Sequence, residues 1–250
     1  EAVLGVCERG AVRVDLVRSG PHALMAGTTG AGKSELLTSW LLQLALALPP
    51  QRLSLVLVDY KGGAAFGALT DLPHTAGLLT DLDPALTTRA LTSLEAEVGR
   101  RERLLAEYGA KDLSCLDAGA APARLVIAVD EFAALASAHP EVLEGLMRVA
   151  AQGRSLGIHL ILATQRPAGA VSPAIRANTA VRVCLRVLDA ADSVDVVGCD
   201  EAARLGPRPG RLVVRGVEGA EHVALQAPWC GDGAQVARIV AELGAAAAGL

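Results

Sequence analysis

The stretch GTTGAGKSELL, residues 27–37, decides the fold of this 250-residue chain. It follows the apolar run HALMA (His22–Ala26) and opens a leucine-rich segment that ends at Pro49 and Pro50. Gly27, Gly32, Lys33 and Ser34 fit G-x-x-x-x-G-K-[ST], a phosphate-binding loop between a strand and a helix. Such a loop must aim backbone N–H groups at one anion, so side chains must withdraw and some φ angles turn positive; glycine meets both demands. The helix starting near Lys33 points its positive dipole end and unpaired N–H groups at the same place. Gly27, Thr28, Thr29, Gly30, Ala31, Gly32, Lys33, Ser34 and Glu35 are therefore the candidate nucleotide-binding residues. Lys33 is expected on the β- and γ-phosphates of ATP, and the Ser34 hydroxyl on Mg2+.

A P-loop needs an acid at the end of a neighbouring strand, and LVIAVDE (Leu125–Glu131) supplies two. Asp130 is the expected second Mg2+ ligand, acting through the metal's water shell. Glu131 is the expected general base or positioning group for the attacking water. A third apolar run, IHLILATQ (Ile158–Gln165), ends in Thr164 and Gln165, either of which suits contact with the γ-phosphate or the water. Asp59, at the end of LSLVLVD (Leu53–Asp59), has two open readings: it lines the site, or it caps the strand end beside Lys61, Gly62 and Gly63.

Outward from these motifs, short β-like runs alternate with helical ones. VLGV and AVRVDLV suggest an N-terminal hairpin. A helix over Lys33–Leu48 carries Leu36, Leu37, Trp40, Leu41, Leu44 and Leu48 at helical spacing. Asp83 and Pro84 read as the N-cap and first turn of a helix that stops at Gly109, with Leu91, Leu94, Val98 and Leu105 on one face. Another helix follows Pro140 to about Leu156. Further strands are expected at VRVCLRV, RLVV and EHVALQ, and an alanine-rich helix, prone to fraying, over residues 233–250. Continuous apolar strands separated by helices imply an α/β fold with a mostly parallel sheet covered on both faces. No internal repeat or long linker interrupts it, so residues 1–250 are expected to form one domain, with its core over about 22–229.

The totals narrow the function. A net charge of −4 and 2% aromatic residues argue against a globally basic nucleic-acid binder, while leaving room for a local basic groove. The five cysteines, Cys7, Cys115, Cys184, Cys199 and Cys230, form no C-x-x-C pair, and the five histidines show no ligand spacing. Packed, reduced thiols in a cytosolic setting are expected. The most apolar stretch, residues 36–48, is shorter than the roughly 20 residues that span a bilayer. The chain starts without methionine and is expected to be a piece of a longer protein.

GTTGAGKSELL, VDYKGG, LPHTAGLLTDLD, VDEF, GRSLGIHLILATQRP and the closing GRLVV and LQAPW segments together resemble the FtsK/SpoIIIE ATPases, over residues 22–229. That resemblance implies a RecA-like motor fold, assembly into a ring, expected to be a hexamer, and ATP at subunit boundaries. The P-loop, the D-[YF]-KGG and LPH segments and the final Q-x-x-W look most like the first ATPase module of the EccC/EssC branch, which drives type VII protein secretion. ATQRP and AGAVSPAIRANT are shared more widely, including with pumps for double-stranded DNA. By the same resemblance, Arg154 in GRSLGIHL is expected to act in trans as the arginine that stabilises charge on the transferring phosphoryl group, with Arg100 and Arg101 as second candidates.

The resemblance therefore implies a Mg2+-dependent ATPase motor module exporting small helical proteins or binding their signal peptides. It would be the cytoplasmic part of a bacterial inner-membrane-associated protein, working with other subunits of a membrane complex. The first alternative is a double-stranded DNA translocase, with Arg166, Arg176 and Arg182 as basic loop residues. The second is an ATP-binding docking or allosteric module with little turnover. DNA-pumping relatives often carry a basic winged-helix module after the motor, whereas this chain ends in an alanine-rich tail.

Overall fold

The computed structural model describes residues 1–60, 65–80 and 84–249. Ten strands form one sheet: β1 (Ala2–Cys7), β2 (Gly10–Val14), β3 (Ala23–Ala26), β4 (Leu53–Asp59), β5 (Thr75–Thr80), β6 (Arg124–Asp130), β7 (Ile158–Thr164), β8 (Val181–Leu185), β9 (Arg211–Arg215) and β10 (Ala224–Gln226). The helices are α1 (Lys33–Ala47), α2 (Pro84–Glu107), α3 (Phe132–Ala138), α4 (Pro140–Leu156), α5 (Pro173–Asn178), α6 (Ala190–Val197) and α7 (Gly233–Ala248). The spatial order is β2-β1-β10-β9-β8-β3-β7-β6-β4-β5.

From β8 to β5 every pairing is parallel. From β8 outward through β9, β10, β1 and β2 every pairing is antiparallel. The α/β architecture is thus the expected one, with the N-terminal hairpin extending the sheet through Val6 opposite Gln226.

Alternating side chains feed two hydrophobic layers, as the two-residue period of a strand requires. Along β6, Val126 and Ala128 join the layer that holds Leu36, Leu37, Trp40 and Leu41 of α1. Leu125, Ile127 and Val129 join the opposite layer, with Val98 of α2 and Val142, Leu146 and Val149 of α4. Strands such as β7, buried along their whole length, read as unbroken apolar runs for this reason.

Local chemistry sets the element ends. Pro140 opens α4, and Gly157, at φ 64°, closes it in the left-handed conformation that glycine tolerates best. Asp232 and Gln235 form a reciprocal capping box on α7, which packs against the 3-10 turn Gly67–Asp71 through buried Val236 and Val240. The expected Asp83 cap, together with Lys61, Gly62 and Gly63, lies outside the described residues. Four elements carried too weak a sequence signal. β5 has the pattern TAGLLT, with a central glycine, and α3, α5 and α6 are too short to display a helical period.

Candidate active site

The parallel strands β3, β7, β6 and β4 end side by side, with Ala26 opposite Thr164 and Asp59 opposite Asp130. Ligands of open α/β sheets bind outside these carboxyl ends. The loop 27–32 leaves β3 here. Gly27 N donates to Thr164 O (3.2 Å), and Thr28 donates from both N (3.1 Å) and Oγ1 (3.0 Å) to Arg186 O. Gly30 and Gly32 take φ 77° and 93°, and a Cβ on Gly32 would lie 2.9 Å from Gly210 N, so this approach needs glycine. Gly32 caps α1 without any side-chain bond, which leaves the first N–H groups of the helix for an outside acceptor.

The buried Lys33 ammonium bonds to Oδ1 of Asp130, itself buried. An ammonium and a carboxylate removed from water need partners, and here each has the other. Glu131 takes φ 59° and ψ 51°, a left-handed conformation costly for a residue with a side chain, because β6 must turn at once into α3. Its carboxylate accepts from Thr164 Oγ1 (2.8 Å) and from Gln165 N (3.2 Å to Oε2). Gln165 Oε1 accepts from Thr29 Oγ1 (3.0 Å), tying the end of β7 to the loop. Asp59 accepts from Ala65 N (3.0 Å), in line with the strand-cap reading. Ser34 is half-buried and Glu35 exposed, both in the first turn of α1.

These residues suit a magnesium nucleotide. Oxygen donors are what Mg2+ takes, and a serine hydroxyl with one carboxylate beside a phosphate cradle is such a set. Among the described residues no group of three His, Cys, Asp or Glu side chains stands together as a metal cage.

Arg154 lies elsewhere. It is exposed in the last turn of α4, beside the start of β7, whose seven residues separate it from Thr164 by roughly 20 Å. It therefore cannot reach the P-loop of its own chain. Arg101 does not fit the role expected of it as a second candidate. Its guanidinium is buried and donates to Leu156 O (2.7 Å), Ala123 O (2.7 Å) and Glu97 Oε1 (2.7 Å). Arg100 also bonds Glu97 (2.7 Å), and this bond chiefly holds the Glu97 carboxyl below its ordinary range. Two of the three basic residues expected in loops lie in regular elements: Arg176 is in α5 and pairs with Asp195 (3.2 Å), and Arg182 is in β8 and donates to Thr179 O (3.1 Å) and Arg176 O (2.7 Å).

Two supports escaped the sequence reading. The loop before β9 braces the P-loop through Gly210 N to Ala31 O (2.8 Å), and Arg186 O receives Thr28. The proline and glycine density of GPRPG marks the first as a fixed turn; backbone acceptors such as the second leave no residue-type signal.

The FtsK/SpoIIIE family model matches residues 5–126 and 117–169. The chain belongs to the FtsK/SpoIIIE family. It is 39% identical over 219 residues to the type VII secretion system protein EssC of Staphylococcus aureus, a match covering 85% of this chain and 15% of EssC. Among solved structures, the cytoplasmic domain of the type VII secretion ATPase EccC from Thermomonospora curvata superimposes with a TM-score of 0.86 at 31% identity, over 96% of this chain and 30% of that one. EccC ATPases 2 and 3, in complex with a signal sequence peptide, match at 0.81 and 25% identity, over 94% and 44% of the two chains. The pCW3 conjugation coupling protein TcpA, with ATPγS, matches at 0.83 and 28% identity, over 98% and 70%. The chain thus resembles ATPase domains of secretion proteins much longer than itself. Among the described residues no helix is long and apolar enough to cross a membrane.

Proposed function

We propose that residues 1–250 form a single Mg2+-dependent ATP-hydrolysing motor module of a type VII protein secretion system. One observation carries the reading: Lys33, Asp130 and Glu131 meet at one end of the sheet, with Glu131 held by Thr164 and Gln165. The 39% identity to EssC supports the secretion branch, and so does the structural comparison, in which EccC superimposes at 31% identity and TcpA at 28%.

In this reading the loop 27–35 binds the phosphates of ATP, and Lys33 exchanges Asp130 for phosphate oxygens. Ser34, and Asp130 through the metal's water shell, would hold Mg2+, which would supply charge neutralisation at the phosphates. Glu131 orients the attacking water and takes its proton, with Gln165 completing that side of the site. Bonds from Thr164 and Gln165 N fix the carboxylate before substrate arrives, so little reorganisation accompanies the step. Arg154 is supplied to the site of the next subunit of a ring, proposed as a hexamer. The partners are small helical secreted proteins or their signal peptides and other subunits of a membrane complex, with this module on the cytoplasmic side.

The test is ATP turnover with and without double-stranded DNA across a salt series, with Lys33→Ala and Glu131→Gln as references. A DNA-indifferent rate that vanishes in Glu131→Gln supports the proposal. Stimulation by DNA that fades with salt would make the chain a DNA translocase. Binding of ATP without turnover at any protein concentration would leave the docking module instead.

A further inference from the structure

The closing segment Gln226-Ala227-Pro228-Trp229 has no part in the chemistry above, yet it stands against the P-loop. Trp229 is 70% exposed, whereas Trp40 is fully buried. A cleft of 410 Å3 runs between Gly32 and Glu35 on one wall and Pro209, Gly210, Gln226 and Trp229 on the other. The second wall is tied to the first by backbone bonds: Gly210 N donates to Ala31 O and Ala227 N to Gly210 O, each at 2.8 Å. The segment bearing the indole is thus anchored to the loop that would hold the phosphates. Gln226 Nε2 donates to Pro209 O (3.1 Å), which fixes the amide's orientation. That leaves Gln226 Oε1 as a buried acceptor with no donor among the described residues.

We propose that this cleft is the base subsite of the nucleotide, where adenine stacks on Trp229 and its exocyclic amino group donates to Gln226 Oε1. The inference rests on the ATP reading of the P-loop. A nucleotide held by its phosphates carries its base only a short way beyond them, and the cleft adjoins the loop at Glu35, in the first turn of α1. A largely apolar cleft with a few polar side chains, here Glu35 and Gln226, is the usual make-up of a small-ligand site. A stacked indole binds any base, whereas an acceptor favours adenine's 6-amino group over the 6-oxo group of guanine.

The test is calorimetric binding of ATP, GTP and inorganic tripolyphosphate, each with Mg2+, to wild type, Trp229→Ala, Trp229→Phe, Gln226→Leu and Lys33→Ala. Trp229→Ala should weaken ATP about tenfold or more and leave tripolyphosphate unchanged; Trp229→Phe should recover most of the loss. Wild type should prefer ATP to GTP, and Gln226→Leu should narrow that preference. Because Trp229 is exposed, its loss should leave the far-UV spectrum and melting temperature as they were. Unchanged ATP affinity in Trp229→Ala, with Lys33→Ala defective, would overturn the base subsite and leave the ATP reading standing. Equal loss of ATP and tripolyphosphate would make Trp229 a brace for the loop, and a loss confined to self-association would make it an interface residue; either overturns the proposal. GTP bound as tightly as ATP would overturn the role of Gln226. A wild type that binds no ATP would overturn the ATP reading itself.

Discussion

Both ends of the parallel strands hold buried polar groups, and they use them differently. At the carboxyl ends Lys33 of α1 bonds Asp130 at the end of β6, and the next residue, Glu131, held in a left-handed backbone, bonds Thr164 of β7. At the amino ends Arg101 joins α2 to the turns before β6 and β7 through backbone carbonyls. There His22 Nδ1 accepts from Leu160 N (2.9 Å), so its Nε2 carries the proton and donates to Ala150 O (2.8 Å). Burial of a charge therefore does not mark a functional group in this fold. What separates the two ends is the kind of partner. Lys33 and Asp130 at the carboxyl ends pair with each other, side chains able to exchange partners for a ligand, whereas Arg101 and His22 at the amino ends are held mainly by backbone carbonyls and amides, with Glu97 also on Arg101.

The largest expected effect lies at the carboxyl ends. Glu131→Gln should lower ATP turnover by about 10^2–10^4-fold with ATP affinity within about threefold of wild type, measured by a coupled phosphate assay and by calorimetry. A mutant turning over normally would remove the distinction between the two ends. Next comes Arg101→Ala, which removes the donor to the carbonyls of Leu156 and Ala123 and leaves Glu97 to Arg100. It should cost about 3 kcal/mol, visible as a melting point lowered by roughly 10 °C.

A smaller effect belongs to pH. Burial pushes the His159 pKa down to about 4 and lowers that of His22. Both rings fold in the neutral form, so their contribution is fully present above about pH 6.5, the unfolded value. Between there and about pH 4 the unfolded chain binds more protons, and stability falls as pH falls. Urea midpoints measured from pH 7 to pH 4.5 should drop, and His159→Gln should flatten the decline; an unchanged slope would contradict the assignment. The smallest effect is on the stability of Arg154→Ala, within about 0.5 kcal/mol of wild type, because that side chain is exposed.

The contrast also explains what was legible beforehand. Gly27 to Ser34 and the Asp130-Glu131 pair announce themselves because their chemistry demands particular residue types at particular spacings. Long elements such as α1, α4 and β7 show their period or their unbroken apolar run. Arg101 and Arg154 look alike as letters; only the carbonyls gathered around Arg101 tell them apart. Arg186 supports the loop through a backbone carbonyl, which any residue carries, whereas Gly210, at φ 79°, shows in the sequence only as part of a glycine- and proline-rich turn. Glu131 shows its acid in the sequence but not its left-handed backbone, which follows from β6 running straight into α3.

In the proposed function, Arg154 completes the site of a neighbouring subunit. The most direct measurement is ATP turnover of an equimolar mixture of the Glu131→Gln and Arg154→Ala variants, each expected to be nearly inactive alone. Mixing should restore turnover well above the sum of the two, because a Glu131→Gln subunit lends its intact Arg154 to the intact site of an Arg154→Ala neighbour. A mixture no more active than its parts, or an Arg154→Ala variant as active as wild type, would contradict it.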